Sequence, residues 1–457
     1  MTTGGLASTL RSRFSWQTIT GNTSILQEDG FRRLWIARLL SNTGVNAVLF
    51  TLLVLAVGEG GGSSIKSALF ITAYLLPTAL LATVSGVLVD RMPKNIVLML
   101  VSVARLVFML ILLMSSAELW TIYIIALLMA TTAQFSAPAE AAALPQVVRP
   151  DQFTVANSVN NLGGLLSQII GFAVLPPLFL NLDFIGTRPL FFIAAGLFGG
   201  AAAFFFSIRS LSTSVVDIDS TIDALREMRK EFAQGWDTLK RDQWAYMSVI
   251  IFVLASTSTL VGVTLMPRFV EDALGIPVRN AIFVFLPAAI GILAGLRLVQ
   301  WLEFRVPRGW LVAAGFALMQ GSFICLALTK PFGQALETLN LLGFFDPGPF
   351  GDTTARIVVT IFFSTIAAFS FSIVGVASRS LVNARMPMEM QGRIFAAQHV
   401  LTNLASIPPI LLAGLFAAAF GVEPVILIFV VLFAGVAGWS AAQAAARMPQ
   451  DEDAEGT

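Results

Sequence analysis

Charge is scarce in this chain: Asp, Glu, Lys and Arg together make up 12% of its 457 residues, where an ordinary soluble domain carries about 25%. So little charge cannot cover a solvated surface, which excludes a soluble enzyme and a disordered chain. Neither sign is in surplus, the net charge being +1, so the basic face that a nucleic-acid binder needs is missing. Cysteine occurs once, at Cys325, and histidine once, at His399. One cysteine excludes an internal disulfide framework and a thiolate metal cluster. One histidine, with almost no carboxylate inside the apolar stretches, leaves no converging metal ligands or nucleophile and base for a membrane-embedded enzyme. No cofactor or metal is implied. What is abundant is apolar: 56% of the residues are hydrophobic, with 37 Phe and 14 Met. That density calls for an apolar solvent on the outside, and the chain reads as an integral membrane protein.

A helical crossing takes about 20 apolar residues at about 1.5 Å rise each. Twelve such runs occupy residues 34–57, 67–89, 96–115, 120–143, 153–180, 189–208, 245–269, 281–302, 310–328, 357–378, 394–420 and 424–446. They are continuous rather than alternating, so they are helices and not strands of a closed barrel. The first thirty residues hold no run of signal-peptide type and read as a polar arm, with a short interfacial helix near residues 10–14. Twelve crossings put both termini on one side of the membrane. Nineteen of the 28 Lys and Arg fall on that side, six on the other, and three, Arg38, Arg105 and Arg297, within spans. The positive-inside rule makes the crowded side the cytoplasm of a cell (plasma or inner) membrane.

The predicted architecture is all-α, with twelve transmembrane helices in two six-helix pseudo-repeated bundles. Residues 1–33 are the N-terminal arm, 34–208 the first bundle, 209–244 a cytoplasmic linker, 245–446 the second bundle and 447–457 an acidic tail. Within the linker, Leu225, Met228, Phe232, Trp236 and Leu239 recur at helical spacing between charges, an amphipathic pattern. Residues 331–354, with Pro347-Gly348-Pro349, form a long outside connection read as a loop plus a short helix. The two halves echo one another. Arg91-Met92-Pro93-Lys94 follows span two and Arg305-Val306-Pro307-Arg308 follows span eight; Leu144-Pro145-Gln146-Val147-Val148-Arg149-Pro150 follows span four and Asn383-Ala384-Arg385-Met386-Pro387 follows span ten. A repeat of this kind predicts a substrate site at the interface of the halves near the bilayer midplane, with one half rocking against the other.

Gly86-Val87-Leu88-Val89-Asp90-Arg91-Met92-Pro93-Lys94 resembles the G-x-L-x-D-R-x-G-R/K signature of the major facilitator superfamily, between its second and third spans. Pro138-Ala139-Glu140-Ala141-Ala142-Ala143-Leu144-Pro145 with Ala156-Asn157-Ser158, and Gly392-Arg393-Ile394-Phe395-Ala396, are similar to the subgroup of enterobactin exporters and macrolide efflux pumps. Phe31-Arg32-Arg33-Leu34-Trp35 and Gly235-Trp236-Asp237 fit the same pattern. The chain departs from it in three places. Pro93 replaces the second glycine, Val45 follows Gly44 where such exporters often carry an acid, and span five lacks a G-P-x-x-G-G run. The resemblance implies the major facilitator fold, and gating by Gly86, Asp90, Arg91 and Lys94, with Asp90 and Arg91 latching the inner gate. Asn95 stands where it could cap span three.

Polar side chains at membrane depth mark pathways or helix contacts. Arg38, Asn42 and Asn46 share one face of span one, and Thr132, Ser136 and Glu140 one face of span four. Asn157, Asn161, Gly164 and Gln168 line span five; His399, Asn403 and Ser406 line span eleven, with Gln398 and Thr402 adjoining. Aimed at a common interior, these stripes make a hydrated cavity; pointed at neighbouring helices, they join spans by hydrogen bonds. Arg105 lies ten residues into span three, roughly 15 Å from its end, and calls for a carboxylate or carbonyl partner, Glu140 being nearest by depth. Arg297 either snorkels or pairs with Glu303. The candidates for proton coupling are Glu140 and His399.

The function expected is secondary active export of amphipathic or hydrophobic small molecules, drug- or siderophore-like, by alternating access driven by the proton gradient. The alternative is a lysophospholipid or lipid flippase on the same fold, because Asn46-Ala47-Val48-Leu49-Phe50 is also similar to lysophospholipid transporters. Partners are a small-molecule substrate, membrane lipid and protons, with no nucleic acid; a monomer is expected.

Overall fold

The computed structural model describes residues 25–58, 64–115, 118–180, 186–208, 234–339 and 353–447. The arm before Ile25, most of the linker with Leu225, Met228 and Phe232, residues 340–352 of the long connection and the acidic tail lie outside them. Among the described residues there are helices and no strands. Twelve are membrane helices in chain order: α1 Asp29–Val57, α2 Ser64–Asp90, α3 Lys94–Met114, α4 Leu119–Val147, α5 from Phe153–Gln168 through Leu175–Leu180, α6 Arg188–Phe206, α7 Gln243–Leu274, α8 from Ala281–Phe285 through Ala288–Leu302, α9 Arg308–Ala327, α10 Thr353–Arg385, α11 Met388–Phe420 and α12 Val422–Arg447. Eleven meet the length and apolarity needed to cross a bilayer. The other, α2, is an unbroken helix of 27 residues, about 40 Å long, so the twelve expected spans are all helices.

Proline explains several of the details. Pro93, Pro307 and Pro387 stand immediately before α3, α9 and α11, where a missing N–H costs nothing because the first turn has no acceptor for it. Pro287 separates the two segments of α8, a break the apolar run does not announce. In α5 the winding loosens to a π-helix over Ile169–Val174, where Leu175 N donates to Ile170 O, five residues back. Such segments insert an extra residue into a turn and concentrate at functional sites.

The described residues fall into two compact units. One lies within Met1–Leu49, Ser85–Ser116 and Thr132–Asp217; the other within Phe50–Val84, Ala117–Thr131 and Ile218–Thr457. In the first, Phe31, Leu34 and Ala37 of α1 pack with Leu98 and Val101 of α3, Ala139 and Ala143 of α4 and Phe205 of α6. Lipid tails are as apolar as these side chains, so close fit rather than escape from water holds such helices together, and small residues set the fit. A Cβ on Gly44 would stand 2.8 Å from the buried Phe198 ring, so that glycine is what admits α6 to α1.

In the second unit α10 packs against both α8 and α9. Gly291 and Gly295, one turn apart on α8, press on the Thr365 carbonyl and on the Phe369 carbonyl and Ser372 hydroxyl of α10, closer than any Cβ would permit. The described end of the linker, residues 234–241, is helical. Its Leu239 is buried with Ala245 and Val249 of α7, Val382 and Met386 near the end of α10 and Ile394 of α11, and Trp236 packs on the same cluster. The described part of the linker's apolar stripe, Trp236 and Leu239, is thus seated on protein. Asp242 then starts α7: its carboxylate accepts from Ala245 N at 2.9 Å and from Arg385 Nη1 at 3.0 Å. The short helix expected in the long connection is Thr329–Leu339, where Lys330 pairs with Glu423 of α12 at 2.8 Å.

Candidate functional site

The site grows out of the way α5 meets α1. Gly163, Ser167 and Gly171 recur every four residues on α5, and all three touch α1. A Cβ on Gly163 would meet Trp35 Nε1 at 2.6 Å; one on Gly171 would meet Asn46 Cβ at 2.6 Å and the Thr43 carbonyl at 2.8 Å. Ser167 Oγ stands 2.9 Å from the Gly163 carbonyl and 3.2 Å from the Leu39 carbonyl of α1. Trp35 Nε1 donates to the Val159 carbonyl at 3.0 Å. This close crossing brings Asn160 against α1, where its Oδ1 accepts from Arg38 Nη1.

Arg38 then reaches α4. Its Nε lies 2.8 Å from Oε2 of Glu140, a carboxylate that is 8% exposed as a residue. The Nε–H does not point along that contact, so the pair is held by charge rather than by a linear hydrogen bond. One turn away, Arg105 of α3 is 2% exposed and is gripped by hydroxyls from two helices. Its Nε donates to Thr132 Oγ1 at 3.0 Å, its Nη2 to Ser136 Oγ at 3.0 Å, and its Nη1 to Ser41 Oγ of α1 at 2.8 Å. Both guanidinium charges act on Glu140. Four helices, α1, α3, α4 and α5, therefore meet at two arginines and one carboxylate, in a medium where an unpaired charge is expensive.

This corrects two sequence expectations and refines a third. Arg105 draws on hydroxyls of the α4 stripe, while the near ion-pair partner of Glu140 is Arg38; the residues share one cluster, but the pairing is not the α3–α4 one. Hydroxyls serve because three of them on two helices match the fork of the guanidinium. Asn95 does not cap α3: its Nδ2 donates instead to the Ile208 carbonyl at 3.1 Å, and Pro93 occupies the N-cap without a side-chain bond. On α5 it is Asn160 that meets Arg38. Asn157, Asn161 and Gln168 are exposed, on the side turned away from α1, with Gly164 partly so. Asn42 and Asn46 on α1 are half-buried. The two residues sequence reasoning missed are Asn160 and Ser41, and the small-residue spacing of α5 is the signal that would have found the first.

The signature segment has a local account. Lys94 is 5% exposed and folds back on the end of α2, its Nζ donating to the carbonyls of Val89 at 2.7 Å, Asp90 at 2.8 Å and Met92 at 3.2 Å. A cation there satisfies carbonyls that the helix end leaves open and complements its negative pole. Asp90 is exposed, and Gly86 and Arg91 are half-buried; nothing lies within 4 Å of where a Gly86 Cβ would be.

On α11 the predicted stripe divides. His399 is exposed, whereas Gln398, Thr402, Asn403 and Ser406 are buried. Asn403 Nδ2 donates to the His399 carbonyl at 2.9 Å, and Ser406 shares a 2.7 Å hydroxyl contact with Thr257 of α7. Arg297 is exposed on α8 and makes no ion pair with Glu303 among the described residues. Among the described residues no three His, Cys, Asp or Glu side chains come together as metal ligands.

Comparison with known proteins agrees with this architecture. The chain is 24% identical over 411 residues to an uncharacterized MFS-type transporter, YfiS, of Bacillus subtilis (strain 168), covering 87% of this chain and 88% of that one. Among solved structures it is similar to a mutant of the nucleoside transporter NupG, with a TM-score of 0.65, 12% identity, and coverage of 90% of this chain and 99% of that one. It is also similar to a bacterial homolog of the human lysosomal transporter Spinster in an inward-facing, unoccupied conformation, with a TM-score of 0.63, 12% identity, and coverage of 90% and 96%. At such identities the two structures speak for the fold alone. The model of the Major Facilitator Superfamily matches residues 34–409. This multi-pass membrane protein therefore belongs to the Major Facilitator Superfamily of transporters.

Proposed function

We propose that this transporter is a secondary active exporter of amphipathic or hydrophobic small molecules, driven by the proton gradient, with Glu140 as the group that takes and gives the proton. The observation that carries the reading is the buried Arg38–Glu140 contact with Arg105 beside it. A carboxylate paired by charge with a guanidinium holds it less tightly once protonated, because the neutral acid has lost the charge that attracts it. Arg38 then keeps Asn160 as its acceptor, and the joint between α1, α4 and α5 loosens on the α4 side. Proton binding thus changes which helices are tied, the kind of two-state element that alternating access requires. Asn42, Asn46, Asn157, Asn161 and Gln168 supply polar contacts for the substrate in the first half, and His399 and Asn403 are the corresponding positions of the second. Both termini lie in the cytoplasm on this reading, as the basic residues demand, and the transporter acts as a monomer.

The test is accumulation of a fluorescent amphiphile in cells producing the protein, with and without a protonophore, at several external pH values. Lowered accumulation that the protonophore restores, and that Glu140→Gln abolishes, is the expected result. Export by Glu140→Gln with the parent's pH profile would sink the coupling assignment. Unchanged accumulation together with inward-to-outward movement of a lysophospholipid would replace the exporter by a lipid flippase.

A further inference from the structure

Within the second unit, a cavity of about 320 Å³ opens among α7, α8, α9, α10 and α12, at the small end of the range for ligand pockets, about 300–1,000 Å³. Its wall is apolar, with Phe269, Phe285, Phe323 and Phe371 and the thioethers of Met266 and Met319 set among aliphatic side chains. Gly262 makes part of the room, since a Cβ there would come within 3.1 Å of the Phe323 ring. Two hydroxyls reach the cavity, Thr259 and Ser364, and both have their hydrogen engaged by their own helix. Thr259 Oγ1 donates to the Ala255 carbonyl at 3.0 Å, and Ser364 Oγ donates to the Ile361 carbonyl at 3.1 Å. The lining contains no Lys, Arg, His, Asp or Glu. A site with this inventory offers a ligand no donor and no counter-charge, only aliphatic surface, ring faces, sulfur and two acceptor oxygens. An anion would enter stripped of water and unpaired, and a fixed cation would have only phenylalanine rings, the weaker partners for a cation. Water gains little there either, because it needs two to four polar partners.

We infer that this cavity is a binding site for a neutral aromatic molecule, or the neutral aromatic part of a larger one, carrying at most a hydroxyl or amine donor that meets Thr259 or Ser364. Rings are favoured over alkyl chains because edge-to-face contacts with phenylalanine and sulfur–aromatic contacts reward them. The inference names the substrate class of the exporter and rests on the transport reading for its use, but not for the binding itself.

The single native cysteine makes a direct test possible. In the purified full-length chain carrying Cys325→Ser, Ala368→Cys places a thiol on the cavity wall, Ala288→Cys is a second reporter from α8, and Leu318→Cys, exposed on α9, is the control. The rate of alkylation by N-ethylmaleimide is measured with 2-naphthol, naphthalene-2-sulfonate, a naphthyl trimethylammonium salt and 1-decanol. At ten times its dissociation constant a ligand leaves about one site in eleven free, so 2-naphthol slows both cavity reporters about tenfold. The sulfonate, the ammonium salt and decanol leave them unchanged, and the control reacts alike throughout. No protection by 2-naphthol, equal protection by the charged probes or by decanol, or equal slowing at the control overturns the inference. No gradient enters this assay, so missing protection alongside protonophore-sensitive export refutes the pocket alone; protection without export refutes the exporter alone.

Discussion

Removing the charge from Glu140 and removing it from Arg38 should not cost the same. At an effective dielectric of about 20, unit charges 2.8 Å apart attract by about 6 kcal/mol. Desolvation of both groups takes back much of that, while loss of one partner from a buried pair costs about 3–5 kcal/mol. In Glu140→Gln, Arg38 loses its carboxylate and two guanidinium groups are left facing a neutral amide, so the full cost of about 3–5 kcal/mol is expected. In Arg38→Gln, Glu140 still has the positive charge of Arg105 acting on it, and a cost of about 1–3 kcal/mol is expected, nearer that of a lost charged hydrogen bond. In the double variant the Glu140 charge is already gone, so removing Arg38 relieves a repulsion and gives up only its contact to Asn160, and the further loss is smaller than that of Arg38→Gln alone. Thermal unfolding of the four proteins in one detergent, read as a double-mutant cycle, gives the comparison. Equal losses for the two single variants, or an additive double, would refute the shared carboxylate and reduce the cluster to independent hydrogen bonds.

Other outcomes follow from single contacts. Gly171→Ala puts a Cβ 2.6 Å from Asn46 Cβ and 2.8 Å from a backbone oxygen; α1 and α5 must part, at a cost of about 1–3 kcal/mol, seen as a lower unfolding temperature, whereas Gly164→Ala, with nothing within 4 Å, should leave it unchanged. Lys94→Met removes the Nζ donor to the carbonyls of Val89, Asp90 and Met92 at and just beyond the end of α2 and should cost about 1–3 kcal/mol, with faster hydrogen exchange in the last turn of α2 as the local readout. Asp242→Ala removes both the α7 cap and the Arg385 contact; about 1–2 kcal/mol is expected, with protease cleavage near residues 234–241 accelerated because the linker helix is seated on that corner.

The helices and their polar faces could be read from composition and period because a membrane leaves so few options. Spacing by four placed Arg38, Asn42 and Asn46 together and put Thr132, Ser136 and Glu140 in one row, and two members of that row do hold Arg105. Pairing was harder to read. Depth alone cannot tell Arg38 from Arg105 as the partner of Glu140, since the answer depends on the rotation of α1 against α4. Neighbouring helix positions differ by about 100°, so Asn160 and Asn161 look alike to a polarity count. The face that meets α1 is marked by Gly163, Ser167 and Gly171, and Asn160 lies on it at three, seven and eleven residues before them. His399 differs from Asn403 and Ser406 for a reason period cannot show: hydroxyl and amide groups on α11 bond their own helix and α7, while the imidazole is exposed.

The π turn of α5 carries a consequence for sequence change in this chain. A turn wound through Ile169–Val174 holds one residue more than an α turn, so the extra residue is taken up without changing the angular phase between the two ends of the helix. Deleting one residue within that turn would let α5 wind evenly and leave its two ends in nearly the same phase. A deletion in the regular α winding before it would swing everything on one side by about 100° relative to the other. With Gly171 pinned against Thr43 and Asn46, the stretch bearing Asn160 and Gly163 would then be turned off α1 and Arg38 would lose its amide. A one-residue deletion between Gly163 and Ser167 is therefore equivalent to mutating Asn160 and Gly163 at once, while the π turn is the place where α5 tolerates the loss of a residue.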